Sequence, residues 1–253
     1  MSELRVITKY LIQANNQLLD PDKAEDLATI GHHFTQDNVV RDIMSNGSGA
    51  VHEIMTRLPT DTLEQILQAK NAVSALKRSG MGGLVMSIIA KSSDAVQEKI
   101  VIAAQDIIGD MARTLQATPT ILPIIARLPP EKRLEILCGH NVIYDLSGRA
   151  DLVVTLIKTL PPEDQLEIYS ADRAVAGLTY NKQGQAVINF LNGQSPENQR
   201  KVLNAADAVE ILERFSFGKA VEAIKKTWSA LVPEPIRSDT KSWADSVTKP
   251  QPK

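Results

Sequence analysis

Apolar residues recur along the chain in short bursts with helical spacing. Val51, Ile54, Met55 and Leu58 stand at i, i+3, i+4 and i+7, and Ile121, Ile124, Ile125 and Leu128 repeat the spacing. Such a stripe predicts a short α-helix with one buried face. Runs of this kind begin at Val51, Val85, Ile121, Val153, Val187 and Val221. A second set of apolar clusters follows a proline-acid motif: Leu58-Pro59-Thr60-Asp61, Leu128-Pro129-Pro130-Glu131, Leu160-Pro161-Pro162-Glu163 and Gln194-Ser195-Pro196-Glu197, with Ser93-Asp94 as a proline-free copy. A third signal is an Asn or Asp beside small and apolar residues, as in Asn71-Ala72-Val73 and Asp207-Ala208-Val209.

These signals repeat. Val39, Ala72, Ile107, Val142, Ala174 and Ala208 mark the third signal, and the steps between them are 33, 35, 35, 32 and 34 residues. From Val51, Ile121 or Val153 to the closing leucine is always 7 residues, and from that leucine to the next mark always 14. Only the stretch from mark to apolar run varies, between 11 and 14 residues. Packed elements resist insertion and exposed turns accept it, so the variable stretch holds an exposed turn. Each unit reads as three helices. Helix A opens at the proline-acid motif, where Ser195 or Thr60 caps it and Pro196 suits its first position. Helix B starts at the Asn or Asp, read as a cap, and ends at a glycine-bearing break. Helix C carries the apolar stripe.

Helices this short are unstable alone and need neighbours above and below. The chain therefore predicts an all-α fold, a right-handed helical-repeat solenoid of about six three-helix units of 32–35 residues. Residues 1–20 supply an N-terminal capping helix, 21–231 the repeat domain, and 232–253 a disordered C-terminal tail with Pro233, Pro235, Pro250 and Pro252. Trp243 and Val247 form one sticky turn in it. The core is expected to include Ile54, Ile88, Ile125, Ile157, Ile188 and Ile224, with Leu128 and Leu160 closing seams between units.

Composition removes several function classes. With 28 basic and 30 acidic side chains the net charge is −2, so no global basic field recruits nucleic acid or membrane. Aromatics are 4% of the chain, which counts against sites built on stacking. One cysteine, Cys138, excludes an internal disulfide. No run of 18 apolar residues spans a bilayer, and Met1-Ser2-Glu3-Leu4-Arg5 lacks a signal-peptide pattern. The expected location is cytoplasmic, or secreted into a host cytosol without a cleavable N-terminal signal.

Chemistry is sparse. Cys138 and His140 stand at i, i+2, where helical side chains diverge, so they form no nucleophile–base pair. His32, His33 and His52 match no metal-ligand spacing, and neither metal nor cofactor is expected. Gly80-Met81-Gly82-Gly83 precedes helix C without a following Gly-Lys-Ser/Thr, so it reads as a turn needing positive φ rather than a phosphate loop. Asp42, Glu53 and Glu64 read as solvated carboxylates, and Lys225-Lys226 and Arg200-Lys201 as basic pairs without flanking aromatics.

Asn181-Lys182-Gln183-Gly184-Gln185-Ala186-Val187-Ile188-Asn189-Phe190-Leu191, followed by Pro196-Glu197-Asn198-Gln199-Arg200, resembles the recognition segment of Pumilio-type RNA-binding repeats. The resemblance in layout covers about residues 40–231. It implies base-edge pairs at Gly49/Glu53, Gly83/Ser87, Pro119/Pro123, Asp151/Thr155, Gln185/Asn189 and Lys219/Ala223. Of these, Gln185/Asn189 and Asp151/Thr155 suit a base edge. It implies stacking residues at Ala50, Leu84, Thr120, Leu152, Ala186 and Ala220, none of which stacks. Leu160-Pro161-Pro162-Glu163-Asp164-Gln165 also resembles the opening of transcription-activator-like effector repeats, and Ala72 to Ile89 has an ankyrin-like cadence. The polar tail resembles type IV secretion signals, which implies a bacterial secreted effector.

The functional expectation is a non-catalytic protein-binding scaffold or adaptor, with the alternative of an RNA-binding repeat protein. The expected contact residues lie on helix C: Glu53, Ser87, Asp151, Thr155, Gln185 and Asn189. The expected partner is a protein, with nucleic acid second.

Overall fold

The structure, a computed structural model, describes Leu19, residues 23–44 and residues 48–229. The expected capping helix and tail lie outside these residues, apart from Leu19, which is buried. The described residues form helices joined by short turns, with no strand among them.

The helices follow one recurring order. The first triplet is α1 (Ala24–Phe34), α2 (Val39–Met44) and α3 (Ser48–Arg57), and the second is α4 (Thr60–Gln68), α5 (Ala72–Leu76) and α6 (Gly82–Lys91). Then come α7 (Asp94–Ala103), α8 (Ile108–Thr114) and α9 (Thr118–Arg127), and α10 (Pro130–Leu137), α11 (Val142–Leu146) and α12 (Ala150–Ile157). The last are α13 (Pro162–Tyr169), α14 (Ala174–Tyr180) and α15 (Gly184–Asn192), and α16 (Pro196–Leu203), α17 (Ala208–Leu212) and α18 (Gly218–Ser229). The middle helix of each triplet begins at the expected mark, except that Ile107 ends a 3₁₀ turn and α8 starts one residue later. The third helix always begins three residues before the apolar run, at Ser48, Gly82, Thr118, Ala150, Gly184 and Gly218.

Corresponding helices pack on one another. Among the middle helices α2 meets α5, α8 meets α11, α11 meets α14, and α14 meets α17. Among the first helices α1 meets α4, α4 meets α7, α10 meets α13, and α13 meets α16. Side-chain bonds follow the same step: Asn71 Nδ2 donates to Asn38 Oδ1 at 2.7 Å, and Asn181 Nδ2 to Ser147 Oγ at 2.7 Å. Val51, Val85, Ile121, Val153, Val187 and Val221 are all fully buried and belong to one continuous core. The expected core residues Ile54, Ile88, Ile125, Ile157, Ile188 and Ile224 are buried there too, with Leu128 and Leu160.

The local chemistry of the turns differs from expectation at three places. The Asn and Asp residues ahead of the middle helices do not cap them: Asn71, Asn141 and Asp207 make no side-chain bond to the helix N-terminus. They sit in the left-handed region at φ 65°, 58° and 60°, where the first helix ends and the chain must swing into the next. Asn and Asp tolerate that conformation better than other non-glycine residues, which accounts for the recurrence. Thr60 is likewise a first helical residue and not a cap, whereas Ser195 Oγ does accept the Asn198 N–H at 3.3 Å. The break before the third helix uses a left-handed glycine at Gly80 (φ 83°), but elsewhere Gln116, Lys182 and Ser216 take that role.

Glutamines on the first helix of a triplet lock the preceding helix. Gln97 Nε2 donates to Ile89 O at 2.9 Å and Ser92 O at 3.1 Å, Gln165 Nε2 to Leu160 O at 2.8 Å, and Gln199 Nε2 to Leu191 O at 3.1 Å. Each thereby adds a side-chain donor to carbonyls in the last turn of the preceding helix or just past it, where backbone partners run short.

Candidate partner-binding faces

The helix C residues named from the sequence all reach solvent. Glu53 lies on α3, Ser87 on α6, Asp151 and Thr155 on α12, and Gln185 and Asn189 on α15, and each is exposed. They are exposed because the opposite stripe of each helix, typified by Val153, Ile157, Val187 and Ile188, is buried. Gln185 and Asn189 are brought together, with Gln185 Nε2 donating to Asn189 Oδ1 at 2.9 Å. Thr155 Oγ1 donates to Asp151 O at 2.9 Å, and Asp151 lies 3.6 Å from Arg149.

Two clefts open on this face. An apolar groove of about 300 Å³ lies between α9 and α12, lined by Leu122, Pro123, Ala126, Arg133, Leu152, Thr155, Leu156 and Thr159. Leu152 is 38% exposed there. Arg133, on α10, donates from a terminal guanidinium nitrogen to Thr159 Oγ1 at 2.9 Å, while its Nε is buried with no partner. A second cleft of about 450 Å³, more polar, is lined by Lys158, Gln165, Tyr169, Gln183, Gln185, Ala186, Asn189 and Phe190. Its aromatic rings face each other: Tyr169 and Phe190 stack at 4.2 Å, and Tyr169 is buried. Burial also pushes the Tyr169 hydroxyl up to about 12. Glu53, Ser87 and Asp151 line neither cleft.

The middle helices carry a different surface that sequence reasoning missed. Tyr144 meets Tyr180 edge-on at 6.2 Å, and Tyr180 meets Phe215 edge-on at 5.2 Å. The Arg173 guanidinium lies 4.1 Å above the Tyr144 ring. Beside this ladder runs a charged one. Lys77 pairs with Asp110, and Arg113 bridges Asp110 at 3.2 Å and Asp145 at 3.3 Å. The Lys77 hydrogen bond holds the Asp110 carboxyl below the usual carboxylate range, while burial pushes Asp145 up. The three rings lie 36 and 35 residues apart, close to but not at the repeat steps of 32 and 34 between their units, so a search at fixed register does not pick them out.

Cys138 and His140 do not work together. Burial pushes the Cys138 thiol up to about 12, which removes its thiolate at neutral pH. His140 turns outward, its Nδ1 2.8 Å from Asp172 Oδ2 and its Nε2 2.8 Å from Asn141 Nδ2. Among the described residues no group of three or more His, Cys, Asp or Glu side chains converges to hold a metal ion, and no helix is long and apolar enough to cross a membrane. No protein-family model, curated protein or solved structure matches the chain.

Proposed function

We propose that the chain is a right-handed solenoid of six three-helix units that acts without catalysis, as a scaffold binding another protein through its helix C face. The recurring triplets, with corresponding helices packed one repeat apart, support the architecture. The observation that carries the function is the α9–α12 groove, an apolar cleft bordered by exposed Thr155 and a half-shielded Leu152. A contiguous exposed apolar strip rimmed by polar residues is the ordinary signature of a protein contact. The RNA reading is less well supported on the same face. Gln185 and Asn189 are bonded to each other, the neighbouring position is Ala186, and the nearest rings stack on one another. A base there has edge donors and no free aromatic face.

The test is capture of a partner by the immobilised chain from nuclease-treated lysate, then titration with that partner made recombinantly. Binding is expected to survive nuclease and to weaken by roughly tenfold or more in the Glu53→Lys/Asp151→Lys double variant, with the melting temperature unchanged. Micromolar binding of single-stranded RNA in physiological salt, lost on Gln185→Ala and Asn189→Ala, would overturn the scaffold in favour of RNA recognition.

A further inference from the structure

We propose that the α9–α12 groove takes a peptide segment in which a carboxylate stands beside a large apolar side chain. The acid meets Arg133, and the apolar group lies on Leu122, Ala126 and Leu152. The inference rests on the protein-binding reading above and narrows it to one occupant chemistry.

Three features of the groove select that occupant. Its walls are hydrocarbon: Leu122, Pro123 and Ala126 from α9 face Leu152 and Leu156 from α12. Pro123 and Ala126 are exposed, and Leu152 is 38% exposed, so the apolar surface is open to a ligand and not sealed as core. A single exposed leucine means little, but these three share one cleft.

Arg133 is the one charged side chain lining the groove. It donates to the Thr159 hydroxyl, its Nε is an orphaned donor, and no carboxylate among the described residues pairs with it. Other arginines nearby are neutralised: Arg127 bonds Asp94 at 3.2 Å and Glu98 at 3.4 Å, and Arg113 bonds Asp110 and Asp145. An uncompensated guanidinium beside hydrocarbon walls asks for an anion delivered together with apolar surface.

The groove also has a direction. Arg133 is tied to Thr159, beyond the C-terminal end of α12, whereas Asp151 and its Arg149 contact lie at the N-terminal end of that helix, outside the groove lining. Thr159 stands eight positions after Asp151 and two beyond the end of α12, which at helical rise is on the order of 12 Å. The acid of the ligand therefore sits at the Thr159 end, away from Asp151. Thr155 already donates its hydroxyl proton to Asp151 O, and Thr159 donates its own to Leu156 O. Thr155 Oγ1 is left as an acceptor suited to a peptide N–H, while Thr159 Oγ1 already accepts from Arg133 and keeps one further lone pair. A fatty acid has the same carboxylate and hydrocarbon but no N–H, and it needs an enclosed channel that this open shelf does not provide.

The experiment is selection of a random-peptide phage library on the full chain, followed by fluorescence anisotropy with labelled selected peptides. The expected pool is enriched in Asp or Glu within about four residues of Leu, Ile, Phe or Trp, one helical turn or a short extended stretch. Binding should fall roughly tenfold or more in Leu152→Glu, an exposed position where folding is retained. Replacing the peptide's acid by its amide should weaken binding to the native chain and make little difference to Arg133→Gln, the readout that a merely structural arginine would not give. Thermal melts of both variants verify the fold. Failure to enrich any acid–apolar motif, equal binding by the native chain and Leu152→Glu, or displacement of the peptide by decanoate below the peptide's own dissociation constant would overturn the proposal. Selected peptides that ignore Leu152→Glu and Arg133→Gln but lose binding in Glu53→Lys/Asp151→Lys would sink the groove and leave the scaffold standing. RNA binding with no selected peptide would sink both.

Discussion

The same small substitution, glycine to alanine, should have opposite effects at different points of this chain. Gly177 lies inside α14, where α14 crosses α11. A Cβ on Gly177 would stand 2.5 Å from Tyr144 Cα, 3.0 Å from Tyr144 N and 3.2 Å from Ile143 O. Those are backbone atoms, so no side-chain rotation relieves the contact, and the two helices must part. Alanine is worth about 1 kcal/mol over glycine in a helix interior, but overpacking a tight contact costs roughly 1–3 kcal/mol and a backbone clash at the upper end. The net expectation for Gly177→Ala is a loss of about 1–2 kcal/mol. Gly83, in α6, has helical backbone and nothing within 4 Å of a built Cβ. Gly83→Ala should therefore gain about 0.4–1 kcal/mol by narrowing the unfolded ensemble. Gly80 also has open space, but its φ is +83°. Gly80→Ala should lose about 1–2 kcal/mol from backbone strain alone. Urea unfolding followed by circular dichroism at 222 nm, with the slopes held equal, measures all three. A neutral or stabilising Gly177→Ala would show that α11 and α14 do not approach backbone to backbone, and the repeat-to-repeat packing described above would be wrong.

Two further outcomes follow from the core and the charged ladder. Leu128 and Leu160 are buried at 2% and 4% exposure where one triplet joins the next, so Leu128→Ala or Leu160→Ala should each cost about 2–5 kcal/mol, and a value under about 1 kcal/mol by urea unfolding would contradict the seam. Asp110 is held below its ordinary value of 3.8 first by its hydrogen bond to Lys77, so its ionised form stabilises the fold above that value, and the benefit fades as pH falls through the depressed folded value. Lys77→Met should thus lose stability at neutral pH and converge on the native chain in acid. The loss should stay near 1 kcal/mol or less, because the Asp110 side chain is 38% exposed and solvent screens the pair. Asp145, raised by burial, contributes the opposite slope in both proteins and cancels in the comparison. A gap that widens toward low pH would refute the assignment.

The helix boundaries were legible because packing forbids insertion. The fixed intervals of 7 and 14 residues around Leu58, Leu128 and Leu160 cross buried positions, and the structure keeps those leucines in the core. The apolar runs located the third helices to a constant offset because Val51, Val85 and their equivalents are the first large apolar residues of each helix to be buried. Turn chemistry was legible only as recurrence. The sequence shows that Asn or Asp precedes the middle helix, but capping and left-handed backbone both select those residues. Arg173 at φ 53° breaks the tie, since arginine has no capping chemistry and here takes the same conformation.

The surface was harder to read, because in a repeating chain a residue's neighbour is a whole repeat away. Taking aromatic content as a bulk figure concealed that Tyr144, Tyr180 and Phe215, which stand at different registers of their units, meet edge to edge. The α9–α12 groove left a clearer trace. Pro123 holds the register position that Glu53, Ser87, Thr155 and Asn189 hold elsewhere. Proline there is useless for reading a base edge, and for the same reason it gives α9 an apolar outward wall. Across the cleft, Leu152 holds the register position of Ala50, Leu84, Thr120, Ala186 and Ala220, a leucine shared only with Leu84. Proline at 123 and leucine at 152 fall on adjacent third helices, and both line the groove with Arg133. Periodicity therefore locates the helices, and the candidate binding site lies where the proline departure of one unit is set against a leucine of the next.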